Sequence, residues 1–143
     1  MQTLKQLKLS NQVCFSIYAL SRLVTSHYQP LLANLDLTYP QYLVMLTLWE
    51  HQTLSVKAMG ELLMLDSGTL TPLLKRLEAK KIIKRSRSKE DERIVNIQLT
   101  AQGLQLKDQA ADIPFQLQCS LGMNNEEIKS LKAIINPILE RER

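Results

Sequence analysis

The sequence predicts a mainly α-helical chain with one small β-hairpin, and three observations carry that reading. Apolar residues recur at helical spacing along most of the chain, as at Leu70, Leu73, Leu74 and Leu77. The period changes to strict alternation only once, where Val95, Ile97 and Leu99 alternate with Asn96, Gln98 and Thr100. Capping residues stand where the helical runs begin. With 143 residues, 45% hydrophobic against 22% charged, the chain has the size and composition of one globular domain with its own core, expected to span residues 1–143.

Ser10 or Asn11 is the expected N-cap of a long first helix running through Val13, Ile17, Leu20 and Val24 to Leu31 and Leu32, with Pro30 near its end. Such a helix, about 20 residues and near 30 Å, is long for a chain of this size and implies a partner outside its own domain. Thr38 caps a second helix with Pro40 in its first turn, carrying Tyr42, Leu43, Leu46 and Trp49 to about His51. Ser55 opens a short third helix with Ala58, Leu62 and Leu63. After a break at Met64 and Leu65, Asp66 or Ser67 caps a fourth. Two short helices joined by a tight turn form a helix-turn-helix.

On the fourth helix the leucine stripe faces inward, which leaves Gly68, Thr71, Pro72 and Lys75 opposite, with Thr69 and Arg76 flanking. That small, hydroxylic and basic face suits a major groove about 12 Å wide. Pro72 removes the amide that would bond the Gly68 carbonyl, a break with local propensity that often marks function. Next, Ile82 and Ile83 begin a strand through Ser86, the polar run Arg87 to Arg93 makes a charged turn, and Val95 to Leu99 forms the second strand. Thr100 caps a fifth helix from Ala101 to about Cys119. Asn124 and Glu127 form a capping box for a sixth, through Ile128, Leu131, Ile134, Ile135 and Leu139. The expected architecture is a winged helix-turn-helix at about 36–100, with N- and C-terminal dimerisation helices at about 10–33 and 101–141 and a symmetric homodimer.

Charge points to the same region. From Lys75 to Arg93 there are nine basic and four acidic residues, a net +5, while the rest of the chain is at minus 1. A polyanion is the natural partner of such a stretch. The candidate DNA contacts are Ser67, Thr69, Thr71, Pro72, Lys75 and Arg76 on the fourth helix and Arg87, Lys89, Asp91 and Arg93 on the wing.

Other chemistry is excluded. Gly60, Gly68, Gly103 and Gly122 are too scattered for a GxGxxG or GxxxxGK loop, and His27 and His51 lack metal-ligand spacing, so no cofactor and no metal are expected. No apolar run has the length of a signal peptide or a membrane span, which predicts a cytoplasmic protein with no membrane partner. In that compartment Cys14 and Cys119 are not expected to form a static disulfide, although they could pair transiently. Trp49, Met45, Met59 and Met64 read as core, and the two histidines as structural or exposed. With Ser10 as cap, Cys14 lies at the fourth helical position, where the helix dipole favours an anion and hence a thiolate. Tyr18, one turn on, shares its face. The residues leave two readings open: a reactive thiol, or a small core cysteine with packing tyrosines.

The stretch Leu65 to Glu78, LDSGTLTPLLKRLE, and the wing Lys89-Glu90-Asp91-Glu92-Arg93 resemble those of MarR-family transcriptional regulators, and the similarity covers nearly the whole chain. Residues Val13 to Arg22, VCFSIYALSR, resemble more narrowly the first helix of the organic hydroperoxide resistance regulators. Ser88-Lys89 departs from the Asp-Pro frequent at the start of the wing, and Glu92 stands where a basic residue is common. The resemblance implies a homodimeric repressor, not an enzyme, that binds a pseudo-palindromic operator and releases it when an organic hydroperoxide oxidises Cys14. It further implies that Tyr28 and Tyr39 donate to the thiolate of the other subunit, and that Cys119 resolves the oxidised Cys14 into an intersubunit disulfide. Two alternatives remain at this point: a MarR-family regulator answering to a small phenolic or aromatic ligand, and a thiol peroxidase, which would need neither the basic stretch nor the wing.

Overall fold

The computed structural model describes residues 4–143; residues 1–3, the start of the span assigned above to one domain, lie outside the described residues. Two 3-10 turns, Lys5–Leu7 and Leu9–Asn11, lead into α1 (Val13–Leu32). A third, Ala33–Leu35, joins it to α2 (Tyr39–His51). Then follow β1 (Thr53–Ser55), α3 (Val56–Leu63), α4 (Ser67–Ala79), β2 (Ile83–Arg87), β3 (Val95–Leu99), α5 (Ala101–Ala110), α6 (Ile113–Leu121) and α7 (Asn125–Glu140). The mainly helical chain with a small antiparallel sheet is thus the predicted fold class.

The core is built around α2, which buries Tyr42, Val44, Met45, Leu48 and Trp49. Against it lie Met59 from α3, the stripe Leu70, Leu73, Leu74 and Leu77 from α4, and Ile83 and Ile97 from the sheet. Thr38 caps α2 with a full capping box, in which its hydroxyl accepts from the Gln41 amide and the Gln41 side chain accepts from the Thr38 amide. Close approach explains two glycines. A Cβ on Gly60 would stand 2.7 Å from the Leu65 carbonyl oxygen, across the turn of the helix-turn-helix, where Met64 takes a left-handed backbone. A Cβ on Gly103 would stand 2.1 Å from the Ile82 carbonyl oxygen, where α5 crosses the start of β2.

Four expectations need correction. First, neither Ser10 nor Asn11 caps α1. Both lie in a 3-10 turn, where the Asn11 amide side chain donates to the Lys5 carbonyl, and Gln12 occupies the cap without a side-chain bond to the helix. Cys14 is therefore the second residue of α1, not the fourth. Second, the sheet has three strands in the order β1-β3-β2, because Thr53–Ser55 pairs antiparallel with β3. Three residues are too few to display alternation. Third, the expected fifth helix is two. Pro114 has no amide to give the Ala110 carbonyl, so the chain breaks at residues 111–112 and restarts as α6. Fourth, Met64 is exposed, since the turn that it closes points it outward.

α1 buries only Leu32 and α7 buries nothing within the chain. Large apolar side chains stand exposed on both, among them Val13, Ile17, Ile134 and Ile138.

Candidate functional site

Asp66 starts α4 by accepting from the Thr69 amide at 2.7 Å, a bond that also holds its carboxyl below the usual carboxylate range. With the leucine stripe inward, Ser67, Thr69, Pro72, Lys75 and Arg76 are exposed and Thr71 is half-buried, its hydroxyl donating to the Ser67 carbonyl. The face predicted to be small, hydroxylic and basic is thus the outer face of α4.

The wing is braced against α4 by a fork absent from the sequence reading. Arg85 on β2 donates from Nε and Nη2 to Glu78 Oε1 at 3.2 and 3.0 Å, and its backbone amide donates to Glu78 Oε2 at 3.0 Å. The guanidinium holds the Glu78 carboxyl below its ordinary range. At the tip, the Ser88 hydroxyl accepts from the amides of Glu90 and Asp91. Arg87 Nη1 donates to the Glu92 carbonyl at 2.8 Å. Arg93 reaches both oxygens of Asp91, at 3.0 and 3.1 Å, and lowers that carboxyl in turn. Lys89 is exposed beside them. Between α3, α4 and the wing lies a cleft of about 740 Å³, lined by Lys57, Ser67, Thr71, Arg85, Arg93 and Ile94 among others.

The second cluster concerns the thiols. Cys14 and Cys119 are both free and exposed. Tyr18 is exposed on α1, its ring under the Arg22 guanidinium at 5.6 Å, and stays outside the other tyrosines. Tyr28 and Tyr39 stack with centroids 4.4 Å apart. Tyr42, which the sequence reading placed on the second helix without a role at the thiol site, joins them at 5.6 Å from Tyr28. Its position three residues after Tyr39 on one helix was the available signal. Burial, and then the neighbouring Tyr39 and Tyr42 hydroxyls, push the Tyr28 phenol up to about 12, so these rings are neutral hydrogen-bond donors.

Within one chain the thiols are far apart. α1 packs on α6, where His27 bonds the Ser120 hydroxyl, which sets Cys119 near the level of His27. Cys14 lies 13 residues earlier on α1, on the order of 20 Å away at 1.5 Å per residue.

A helix-turn-helix whose second helix turns a basic, hydroxylic face outward, next to an arginine-tipped hairpin, defines a winged-helix DNA-binding protein. Comparison with known proteins makes this particular. The chain belongs to the MarR-type transcriptional regulators and groups there with the organic hydroperoxide resistance regulators: residues 26–110 match the family model for the transcriptional regulator SarA/Rot, and the relatives below extend the match over nearly the whole chain. The organic hydroperoxide resistance transcriptional regulator of Bacillus subtilis (strain 168) is 54% identical over 134 residues, 94% of this chain and 91% of its own. AbfR of Staphylococcus epidermidis is 39% identical over 96% of this chain and 95% of its own, with a TM-score of 0.77. Reduced AbfR bound to DNA superposes at 0.79, with 37% identity over 96% of each chain. Its disulfide form superposes at 0.64, with 37% identity over 94% of this chain and 95% of its own. These relatives are regulators of transcription and not enzymes, which removes the thiol peroxidase reading.

Proposed function

We propose that this chain is a homodimeric repressor whose hold on a pseudo-palindromic operator is set by the oxidation of Cys14. The observation that carries the proposal is the setting of Cys14, exposed at the second position of a helix that its own chain leaves almost uncovered. The first amides of α1 have no partner inside the helix, and Cys14 stands among them at its second position. The uncovered apolar faces of α1 and α7 are those a two-fold partner would bury, and apolar patches of this kind mark interaction surfaces. In that dimer Tyr28 and Tyr39 of the partner subunit donate to the thiolate. Tyr18, exposed on the face of Cys14, lies on the approach.

The chemistry balances in two steps. The Cys14 thiolate attacks an oxygen of an organic hydroperoxide, the O–O bond breaks, and sulfenic acid and an alcohol result. The Cys119 thiol of the partner subunit then attacks that sulfur, a disulfide forms, and water leaves. A disulfide needs Cα atoms within about 7 Å, and the separation of Cys14 and Cys119 within one chain, on the order of 20 Å, supports a resolving thiol from the other subunit. The names of the relatives support the reading: one is tied to organic hydroperoxide resistance, and AbfR is described both reduced on DNA and disulfide-bonded.

On the DNA side, the outer residues of α4 enter the major groove and Arg87, Lys89, Asp91 and Arg93 form the wing contact, with Arg93 in the minor groove. The protein spans one MarR-type domain over 1–143 and acts in the cytoplasm, where thiols are kept reduced. No helix among the described residues is long and apolar enough to cross a membrane.

Operator binding before and after one equivalent of cumene hydroperoxide, with and without dithiothreitol, tests the proposal. Cys14→Ser should bind DNA and fail to release it. Cys119→Ser should release slowly or partially and lose the disulfide-linked dimer on a non-reducing gel. Equal release by wild type and Cys14→Ser would refute the redox mechanism and favour a small phenolic ligand as inducer.

A further inference from the structure

The tyrosine stack and the recognition helix α4 are joined by a polar link that no DNA contact explains. Tyr39, stacked on Tyr28, directly follows Thr38, the N-cap of α2. The Thr38 amide donates to Gln41 Oε1 at 3.1 Å, closing the capping box. That same oxygen accepts from Lys80 Nζ at 3.3 Å. Lys80 is the C-cap of α4, and its ammonium also bonds the Asp36 carbonyl and stands 3.4 Å from the Asp36 carboxylate. Gln41 is only 3% exposed, so its carbonyl oxygen is a buried acceptor shared by one amide from the tyrosine side and one ammonium from the recognition helix.

We propose that Gln41 and Lys80 couple the tyrosine stack to α4, so that a displacement of Tyr28 and Tyr39 on oxidation of Cys14 is passed to the DNA-reading helix through this shared oxygen. The inference rests on the redox reading above and adds the residues that transmit it.

The physical reason lies in the cost of a half-made contact. If Tyr39 shifts, the adjoining Thr38 amide shifts with it, and the Gln41 side chain must either follow or leave a part-buried donor unpaired, at a cost in free energy. Gln41 following the amide moves away from Lys80, whose other bonds tie it to the Asp36 turn. The end of α4 then has two arrangements, one for each position of the tyrosines, which is what coupling between two sites requires. Lys80 is thereby distinguished from Lys75 and Arg76 of the same helix: it is a positioning residue that faces inward, not a DNA contact.

The test compares affinity in two redox states. An operator duplex selected in vitro by the reduced wild-type protein is titrated with full-length wild type, Lys80→Met, Gln41→Met and Gln41→Glu, each reduced and each after cumene hydroperoxide. Oxidation of Cys14 is followed separately by thiol loss. Lys80→Met and Gln41→Met should keep reduced-state affinity within about threefold and the rate of Cys14 oxidation unchanged, while the ratio of oxidised to reduced Kd falls by about tenfold, within the range of allosteric couplings. Gln41→Glu keeps the acceptor and should keep the ratio. Because Lys80→Met and Gln41→Met remove opposite halves of one bond, a folding defect in either leaves the other as the test.

A wild type that releases DNA with both variants releasing equally overturns the coupling alone. Loss of reduced-state binding in Lys80→Met with Gln41→Met unaffected also overturns it, by making Lys80 a DNA contact. A wild type with oxidised Cys14 and unchanged affinity overturns the redox reading, and the coupling with it.

Discussion

Arg93 is 90% exposed, yet Asp91 holds its guanidinium by two bonds, so the side chain is presented at the wing tip in one orientation. An arginine held this way loses less rotamer freedom on entering a narrow groove than a free one would. Arg93→Ala should weaken operator binding by about 1–3 kcal/mol in a mobility or anisotropy titration. Lys75→Ala, without such an anchor, should weaken all sequences alike and reduce the salt dependence by about one unit of slope. Unchanged binding in both variants would overturn the assignment of the face. At the thiol site, Tyr28 ionises at about 12 instead of 10 because burial and its tyrosine neighbours disfavour the phenolate. The fold thus favours the protonated phenol, and this stability is complete below pH 10 and is lost as the pH rises toward 12. Denaturant midpoints measured from pH 9 to 12 should fall less steeply for Tyr28→Phe than for wild type.

At the scale of elements, the wing does not stand on its strand pairing alone. Glu78 on α4 takes three bonds from Arg85 on β2, so recognition helix and hairpin move as one piece. Both side chains are about a third exposed, and solvent screening limits such a pair to about 1 kcal/mol or less. Glu78→Gln should therefore cost about 0.5–1 kcal/mol in denaturant unfolding, while hydrogen exchange in β2 rises. The Glu78 carboxyl lies below its ordinary value, so the contribution is complete above the unfolded value and fades as the pH falls through the folded one. The variant and wild type should then converge in stability at strongly acid pH, and a gap that persists there would mean that the ion pair is not its source.

On the scale of the whole molecule, the apolar residues of α1 and α7 that the chain leaves uncovered are the surface that the proposed two-fold dimer buries. A two-fold dimer places two α4 helices in successive major grooves, so half-sites lie about 10 base pairs apart, centre to centre. Five base pairs inserted between them turn one half-site away by half a helical turn. Affinity for that duplex should drop to the level of a single half-site, and retained affinity would refute symmetric docking.

The local elements were legible because their signals are local. Thr38, Ser55, Asp66, Thr100 and Asn124 cap helices where their side chains predict, and the leucine stripe alone decides which face of α4 turns outward. The family likeness was legible for the same reason, being carried by contiguous stretches. Misreadings came where a neighbour in space overrode a local preference: Asn11 bonds back to Lys5 and leaves Gln12 to start α1, and Thr53–Ser55 is a strand only because β3 lies beside it. Pro114, at the start of α6, is a local signal for the break in the fifth helix. By itself, then, the sequence determined the helices, the hairpin, the outward face of α4 and the position of Cys14 near a helix start. Only the tertiary structure decided that Tyr28 of α1 packs on Tyr39 and Tyr42, that Arg85 braces the wing, that Lys80 turns inward to Gln41, and that Cys14 on α1 and Cys119 on α6 stand apart. Those facts depend on residues 7 to 105 positions apart being brought together or held apart, and helical period and capping chemistry do not reach beyond a few residues.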